Sequence, residues 1–549
     1  MASLQRYLVK GIEYWRLVES RRINGKPTPV VVEYFGNTKK FTEMLLNGRN
    51  EHKIVKSYSH GDSFALMKIA QRLDIEKILD DHMSSKSGNG LKRSKSLLLI
   101  ALQSVCKPGS KNEFESWVKT TTLPYDHDLS PEVLTSRHFW KQMDNISEVE
   151  LVAAEDAITQ KIFSLYDFDL EKIALDYTNY FSYVSSSNDR CTLAKRGRNK
   201  QKRHDLRQYS LALITTKESG LPLYSHIYEG NKNDQTVFAK YIGILKERIP
   251  DYDPDAITLV FDGGSNTKAN LETLETHYIC GFSLSSCKPL FDIDISSYYD
   301  IKYGDKSSKG YRVSHEIWGK EHECILTFSR PLYEGQVKEL NESIASTVSS
   351  LDSLNEQLNN PKSRIAKTIE SITAKIKSIC GKKYMDEIFD YSIIVHPESG
   401  LVSCVEYSIV DSAKNNITHK YFGKKLLITD RKDWSTSEIL KTYREQDCIE
   451  KIFRATKDND HCAIRPQFHY TDQKIRVHIF CCLLGLTLAT ILHMEVVNKG
   501  IEASKFQMLD ILQSIRRCWL KDKDSSKVTN VLEEMDDTQA ALWNVIQSI

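Results

Sequence analysis

The feature that most constrains this chain is the order in which its hydrophobic periods change between residues 172 and 284. The stretch KIALDYTNYFSYV (172–184) is dense in β-branched and aromatic residues. Two more strand-like runs occupy 207–229 around a Lys-Glu-Ser-Gly turn. Residues 238–249 have helical spacing, AITLVF (256–261) is a short apolar strand, 268–277 is helical again, and 278–284 returns to strand. Three strands, then helix, strand, helix and strand, describe a mixed sheet flanked by helices.

That order is the one found in an RNase H-like core, and the rest of the chain is read around it. Residues 1–50 alternate apolar and polar in YLVKGIEYWRLVES and VVVEYFG on either side of NGKPTP, which predicts a β-rich segment. Residues 51–166 are mostly helical in pattern and are expected to form a helical N-terminal domain. The core then spans 167–290 and 434–500, interrupted by a large α+β insertion at 291–433. Within it, Val337 to Leu358 and Ile365 to Ile379 carry apolar residues at steps of three and four around the breaker Asn359-Asn360-Pro361. That spacing predicts a helical hairpin over about 333–380, followed by strands. Residues 501–549 are expected to be helical.

Composition excludes several classes. Lys plus Arg (75) almost balances Asp plus Glu (73), so any polyanion must be bound by local patches rather than by net charge. The 12 Cys show no spacing that builds a tetrahedral zinc site and are read as small buried apolar groups. The first residues, MASLQRYLVKGIEYWRL, carry charges throughout, so no secretion signal is expected. The apolar run IFCCLLGLTLATIL (479–492) is shorter than the ~20 residues that cross a bilayer and is read as a buried core helix.

Two acidic residues stand where acid is disfavoured. Asp176 lies inside IALDYTNYF, and Asp262 follows TLVF and precedes Gly263-Gly264. An isolated buried charge is costly, so each is either a paired structural group or a metal-binding one. Further on, a helix is predicted to open near Ser435 or Ser437 and to continue past Lys457. Tyr443, Gln446, Glu450, Arg454 and Lys457 align along one face of it, and Ile449, Ile452 and Phe453 along the other. A solvated stripe and a functional face share that period.

The spacing Tyr443-x2-Gln446-x3-Glu450-x6-Lys457 resembles the Tyr-Arg-Glu-Lys signature of DDE transposases of the insertion sequence four family. LDYTNYF, RGRNKQKRHDLRQYSLALITTKESGLPLYSHIYEGNKND, VFDGGSNTKANLETL and RPQFHYTDQKIRVHIFCCLLGLTLATIL resemble, in order, four of that family's blocks. They are the blocks around the first Asp, the strands after it, the second Asp and the segment after the Glu. GIEYWRLVESRRINGKPTPVVVEYFG resembles the start of one subgroup. The resemblance implies a DNA transposase in which Asp176, Asp262 and Glu450 are catalytic and hold two Mg2+ ions, Mn2+ substituting. Such an enzyme nicks at the element ends and joins the freed 3′-hydroxyl to target DNA. It implies double-stranded DNA as partner, DNA-end binding by the 51–166 domain, a homodimer in the DNA complex, no membrane, and a prokaryotic cytoplasmic location on the nucleoid. Tyr443 and Lys457 carry over as contacts to phosphate or strand end, with Arg454 beside them. The family's Arg is Gln446 here, and Asp447 stands where an aromatic is common. A decayed or domesticated copy that binds DNA without turnover is the alternative.

Lys195, Arg196, Arg198, Lys200, Lys202, Arg203 and Arg207 form a basic run around Gly197 that is expected to neutralise backbone phosphates, although a solvated loop has the same composition. Arg465 and Arg476 are weaker candidates for such contacts. Asn231 and Asp234 in GNKND also read as turn and cap residues. His204, His469 and His478 are read as hydrogen-bonded structural groups.

Overall fold

β-Branched and aromatic side chains fit a pleated, half-buried surface, and residues 172–282 form the middle of a large mixed sheet. The structure is a computed structural model. It describes all residues except 1, 24, 25, 48–51, 85–89, 200–202, 250, 251, 284–286, 304, 305, 461, 463, 465–468 and 523–527. Among the described residues nine strands share this sheet. In spatial order they are Tyr299–Tyr303, Lys306–Ile317, Lys320–Phe328, Lys424–Thr429, His277–Phe282, Thr258–Phe261, Lys172–Ser182, Arg207–Thr216 and Pro222–Glu229. Lys172–Ser182 pairs antiparallel with Arg207–Thr216, which pairs antiparallel with Pro222–Glu229. On its other side it pairs parallel with Thr258–Phe261, which pairs parallel with His277–Phe282. Arg207–Thr216 is buried along its whole length, as a strand covered on both faces must be.

The chain divides into two compact units. One contains Met1–Lys68, Lys111–Ser136 and Glu495–Ile549. The other contains Ile69–Ser110 and Arg137–Met494, and therefore the nine-stranded sheet. Residues 51–166, expected to form one helical domain, are shared between the two units. Residues 501–549 are likewise not all helical. Arg516–Asp522 pairs antiparallel with His52–Ser59 on one side and with Val528–Leu532 on the other, and Trp519 packs on Tyr58 and Tyr125 at ring-centroid distances of 5.0 and 4.8 Å. One of the two partners of this strand, His52–Ser59, lies more than 450 residues away in sequence, beyond the reach of local periodicity.

The interruption of the core also begins later than 291. Strands from Tyr299 to Phe328, and again Lys424–Thr429, extend the core sheet itself. Between them, helix Arg330–Asn359 is followed by helix Ile369–Ile379, the hairpin Phe389–Val395 with Val402–Ile409, and helix Asp411–Tyr421. This part has its own apolar core, in which Leu351, Ile372, Ile376 and Met385 are fully buried.

Helix Asp472–Asn498 is long and apolar enough to cross a membrane by length and composition, yet 89% of its most apolar window is buried inside the protein. It crosses helix Arg93–Cys106 at backbone contact, since a Cβ on Gly485 would lie 2.3 Å from the carbonyl oxygen of Ala101. Gly485→Ala is therefore expected to lower the thermal midpoint by several degrees, because overpacking a core costs roughly 1–3 kcal/mol. Gly335→Ala, at an exposed helical position where a Cβ meets nothing within 4 Å, is expected to leave the midpoint unchanged or raise it. Equal melting of the two variants in a thermal scan would contradict the close crossing.

Candidate functional site

The site grows from one feature of strand register. Leu175 is paired with Phe261 across the parallel strands, so the residues that follow are neighbours on backbones that run ~4.8 Å apart: Asp176, still within its strand and opposite Leu213, and Asp262, just past the end of its own. Asp262 opens the short turn Gly263–Ser265. Helix Asp447–Ala455 packs on the Asp176 strand through buried Ile449, Ile452 and Phe453 and turns Glu450 outward. Gly220, at φ +65 in the turn before Pro222–Glu229, leaves room for that helix, because a Cβ there would come within 3.2 Å of Ile452 Cδ1.

A cleft of about 500 Å3 results, and its walls include Asp176, Asp262 and Glu450 together with Arg454 and Lys457. Asp234, a candidate that in sequence fits a turn or cap residue equally well, is a fourth carboxylate lining the cleft. Four acids against two bases give the cleft a negative field that favours cations. Asp176 accepts the Tyr177 backbone N–H at 2.7 Å, and Glu450 makes no ion pair among the described residues. The carboxylates line one cleft without closing on a point: among the described residues no three acidic, His or Cys side chains form a ready metal cage.

Tyr443 donates its hydroxyl to Asp262 Oδ1 at 3.3 Å. Burial, and then the Asp262 charge, push this phenol well above its ordinary range, so it stays a donor. The contact depends on Gly281, whose missing Cβ would sit 3.0 Å from the Tyr443 hydroxyl. Lys457 donates to Thr178 Oγ1 and lies 5.6 Å from the centre of the Tyr180 ring. Tyr180 is buried and hydrogen bonds Thr456 Oγ1 at 2.6 Å.

The single helix expected through Lys457 is in fact two, Thr436–Arg444 and Asp447–Ala455. Between them Gln446 N–H donates to Tyr443 O and Ile449 N–H to Gln446 O, the tighter i to i+3 pattern. The break falls where Glu445 pairs with the buried ammonium of Lys217. As a result Gln446 is buried, not on the cleft. Asp447 pairs with Lys451 at 3.0 Å and does not line the cleft.

The basic run is sorted just as sharply. Arg207 is buried, and its guanidinium donates to the carbonyls of Ser185, Asn188, Cys191 and Ala194. It is a clamp on the loop and not a phosphate contact. Arg203 is paired with Asp205 through two hydrogen bonds of 2.9 and 2.8 Å. Lys195 and Arg196 are exposed outside the carboxylate cleft, and Arg198 lines a neighbouring one. Lys200, Lys202 and Arg465 lie outside the described residues. Arg476 is engaged with Glu148 at 2.9 Å and with the Ile227 carbonyl. His469 and His478 are buried and stacked at 4.7 Å, His478 Nε2 lies 3.1 Å from the Ile464 carbonyl, and His204 is exposed. Among the described residues no disulfide joins any of the twelve Cys, ten of which are buried.

No family model matches the chain, and no curated protein matches it in sequence. Among solved structures it is similar to a piggyBac transposase seen in a synaptic complex with hairpin DNA, at 8% identity and a TM-score of 0.41, with 82% of this chain and 79% of that chain covered. A likeness of that depth carries no residue role across.

The clamp has a direct test. Arg207→Ala leaves four carbonyls without their buried donor, each omission costing roughly 1–3 kcal/mol. Limited trypsin digestion is therefore expected to cut at Arg190, Lys195 and Arg196 at least ~10-fold faster than in the wild type, with the remainder of the chain resistant. Unchanged cutting at these sites would show that the loop is held by something else.

Proposed function

We propose that the chain is a DNA transposase that cleaves DNA at element ends with Mg2+ and transfers the 3′-hydroxyl into target DNA, working as a homodimer on DNA in the bacterial cytoplasm. The observation that carries this reading is the meeting of Asp176, Asp262 and Glu450, from three distant segments, in one acidic cleft. The strand order supports it as well. Pro222–Glu229, Arg207–Thr216 and Lys172–Ser182 pair antiparallel, and Thr258–Phe261 and His277–Phe282 are added in parallel, an order in keeping with the RNase H-like core of this reading.

The donor set fits Mg2+. It consists of hard carboxylate oxygens, and Mg2+ keeps several waters and takes substrate phosphates in place of a closed protein cage, so the open carboxylate arrangement is compatible with it. Asp176, between the other two in this reading, would contact both ions, with Asp262 and Glu450 holding one each. When bound, a metal pair stabilises the entering and leaving oxygens of an in-line displacement at phosphorus. The chain's own residues do the rest. Tyr443, kept protonated, holds Asp262 in place by its hydroxyl. Lys457, braced by Thr178 and Tyr180, presents an ammonium to the phosphate or strand end, and Arg454 on the same wall supplies the cation that buried Gln446 lacks. Water or a DNA 3′-hydroxyl attacks, the 3′-oxygen leaves, and no covalent bond to the protein forms.

Glu450→Gln is expected to abolish Mg-dependent nicking of a duplex carrying the terminal repeats that flank the gene, lowering its rate by at least ~10^3 while gel-shift affinity stays within a factor of a few. Gln keeps the volume and one oxygen but removes the charge that holds a metal. Nicking by the variant at the wild-type rate would refute the carboxylate assignment. Binding without nicking by the wild type would favour a DNA-binding protein without turnover.

A further inference from the structure

A second cleft, of about 430 Å3, adjoins the carboxylate cleft and shares Asn179 and Asp234 with it as common walls. Its other walls bring Arg198 from the basic loop against Asn231, Lys232 and Asn233 of the GNKND turn. These two segments are fixed at backbone contact. A Cβ on Gly197 would lie 2.3 Å from the Gly230 carbonyl oxygen, and one on Gly230 would lie 2.0 Å from that of Gln208. The fully buried Gln208 ties them together, donating Nε2 to the carbonyls of Gly230 at 2.7 Å and Arg198 at 3.1 Å. The cleft is therefore shaped in advance, which spares a ligand the ordering penalty of a loose loop.

Its chemistry is that of a donor site. Arg198 is exposed and makes no ion pair among the described residues. Asn233 gives its side-chain oxygen to the Gln235 N–H at 3.2 Å, and Asn179 gives its own to the Ser210 hydroxyl at 3.0 Å, which leaves both NH2 groups as donors. Lys232 is half-neutralised by Glu229 at 2.8 Å, and Asp234 is held by the Tyr228 hydroxyl on the side shared with the carboxylates. A guanidinium with two or three carboxamide donors suits a phosphate oxygen, and Asp234 divides that anion site from the cation-favouring cleft next door.

We propose that this second cleft binds a backbone phosphate of the same DNA strand that is cut in the carboxylate cleft, adjacent to the scissile one, with Arg198 as its principal counter-charge. The inference rests on the nuclease reading of the carboxylate cleft. It makes Arg198 a positioning residue that sets which phosphate reaches Asp176, Asp262 and Glu450.

The test is a cycle between protein and DNA on the full chain. A labelled duplex with the terminal repeat is prepared as a series, each member carrying one neutral methylphosphonate in place of a phosphate. Dissociation constants for wild type and Arg198→Ala are measured by anisotropy, and the nick is mapped with Mg2+. One methylphosphonate beside the nick is expected to weaken wild-type binding about 10-fold. The same duplex should bind Arg198→Ala no more weakly than the unmodified one, and Arg198→Ala should reduce the salt dependence of binding by about one ion. Independent, multiplying effects at every position, or coupling only at a phosphate remote from the nick, would overturn the proposal. A wild-type chain that makes no Mg-dependent nick would overturn the reading on which it rests, and the proposal with it.

Discussion

Everything at the site depends on the parallel pairing of Lys172–Ser182 with Thr258–Phe261. Leu175 and Phe261 stand opposite one another, so the acids that follow them, Asp176 inside its strand and Asp262 just past the end of its own, are forced to be neighbours whatever their charges prefer. A slip of one residue would turn Asp176 to the opposite face and bury it. Like charges so placed disfavour joint ionisation unless a cation or strong donors compensate. Tyr443 answers part of that demand at Asp262, and the backbone N–H of Tyr177 part of it at Asp176.

The elements around this pair are held by close backbone approaches more than by long side chains. Gly220 admits the Glu450 helix, Gly281 admits the Tyr443 hydroxyl, and Gly197 and Gly230 bring the basic loop onto the turn that carries Asp234. Buried polar side chains then lock what the glycines allow: Arg207 by four carbonyls, Gln208 by two. A functional constellation has to be held to within a fraction of an ångström, and main-chain contacts of this kind give that stiffness.

The sequence made some of this legible and hid the rest for physical reasons. Asp176 and Asp262 stood out because acid is rare in apolar strand-like runs, whereas Glu450 stood out only through the resemblance of the Tyr443 to Lys457 spacing to a family signature, since a shared helical face also fits a solvated stripe. The helix break at Glu445 and Gln446 was invisible, since it falls where Glu445 pairs with Lys217, which follows the strand Arg207–Thr216 more than 200 residues earlier. The run of Lys and Arg near Gly197 looked uniform in sequence, yet folding sorts it into a buried clamp at Arg207, an internal pair at Arg203 and an open guanidinium at Arg198. Asp234 was ambiguous because GNKND also satisfies a turn, and only the folded sheet brings it to the carboxylates. The sheet around Arg516–Asp522 was missed because one of its two partners, His52–Ser59, is more than 450 residues away.

The central claim, that Asp176, Asp262 and Glu450 act together as a divalent-metal site, is tested most directly by calorimetric titration of the full chain with Mn2+ in the presence of saturating duplex DNA. The account expects the wild type to bind two ions and Asp176→Ala, with unchanged thermal melting, to lose that binding because the residue contacting both ions is gone. Equal Mn2+ binding by the two proteins would contradict it.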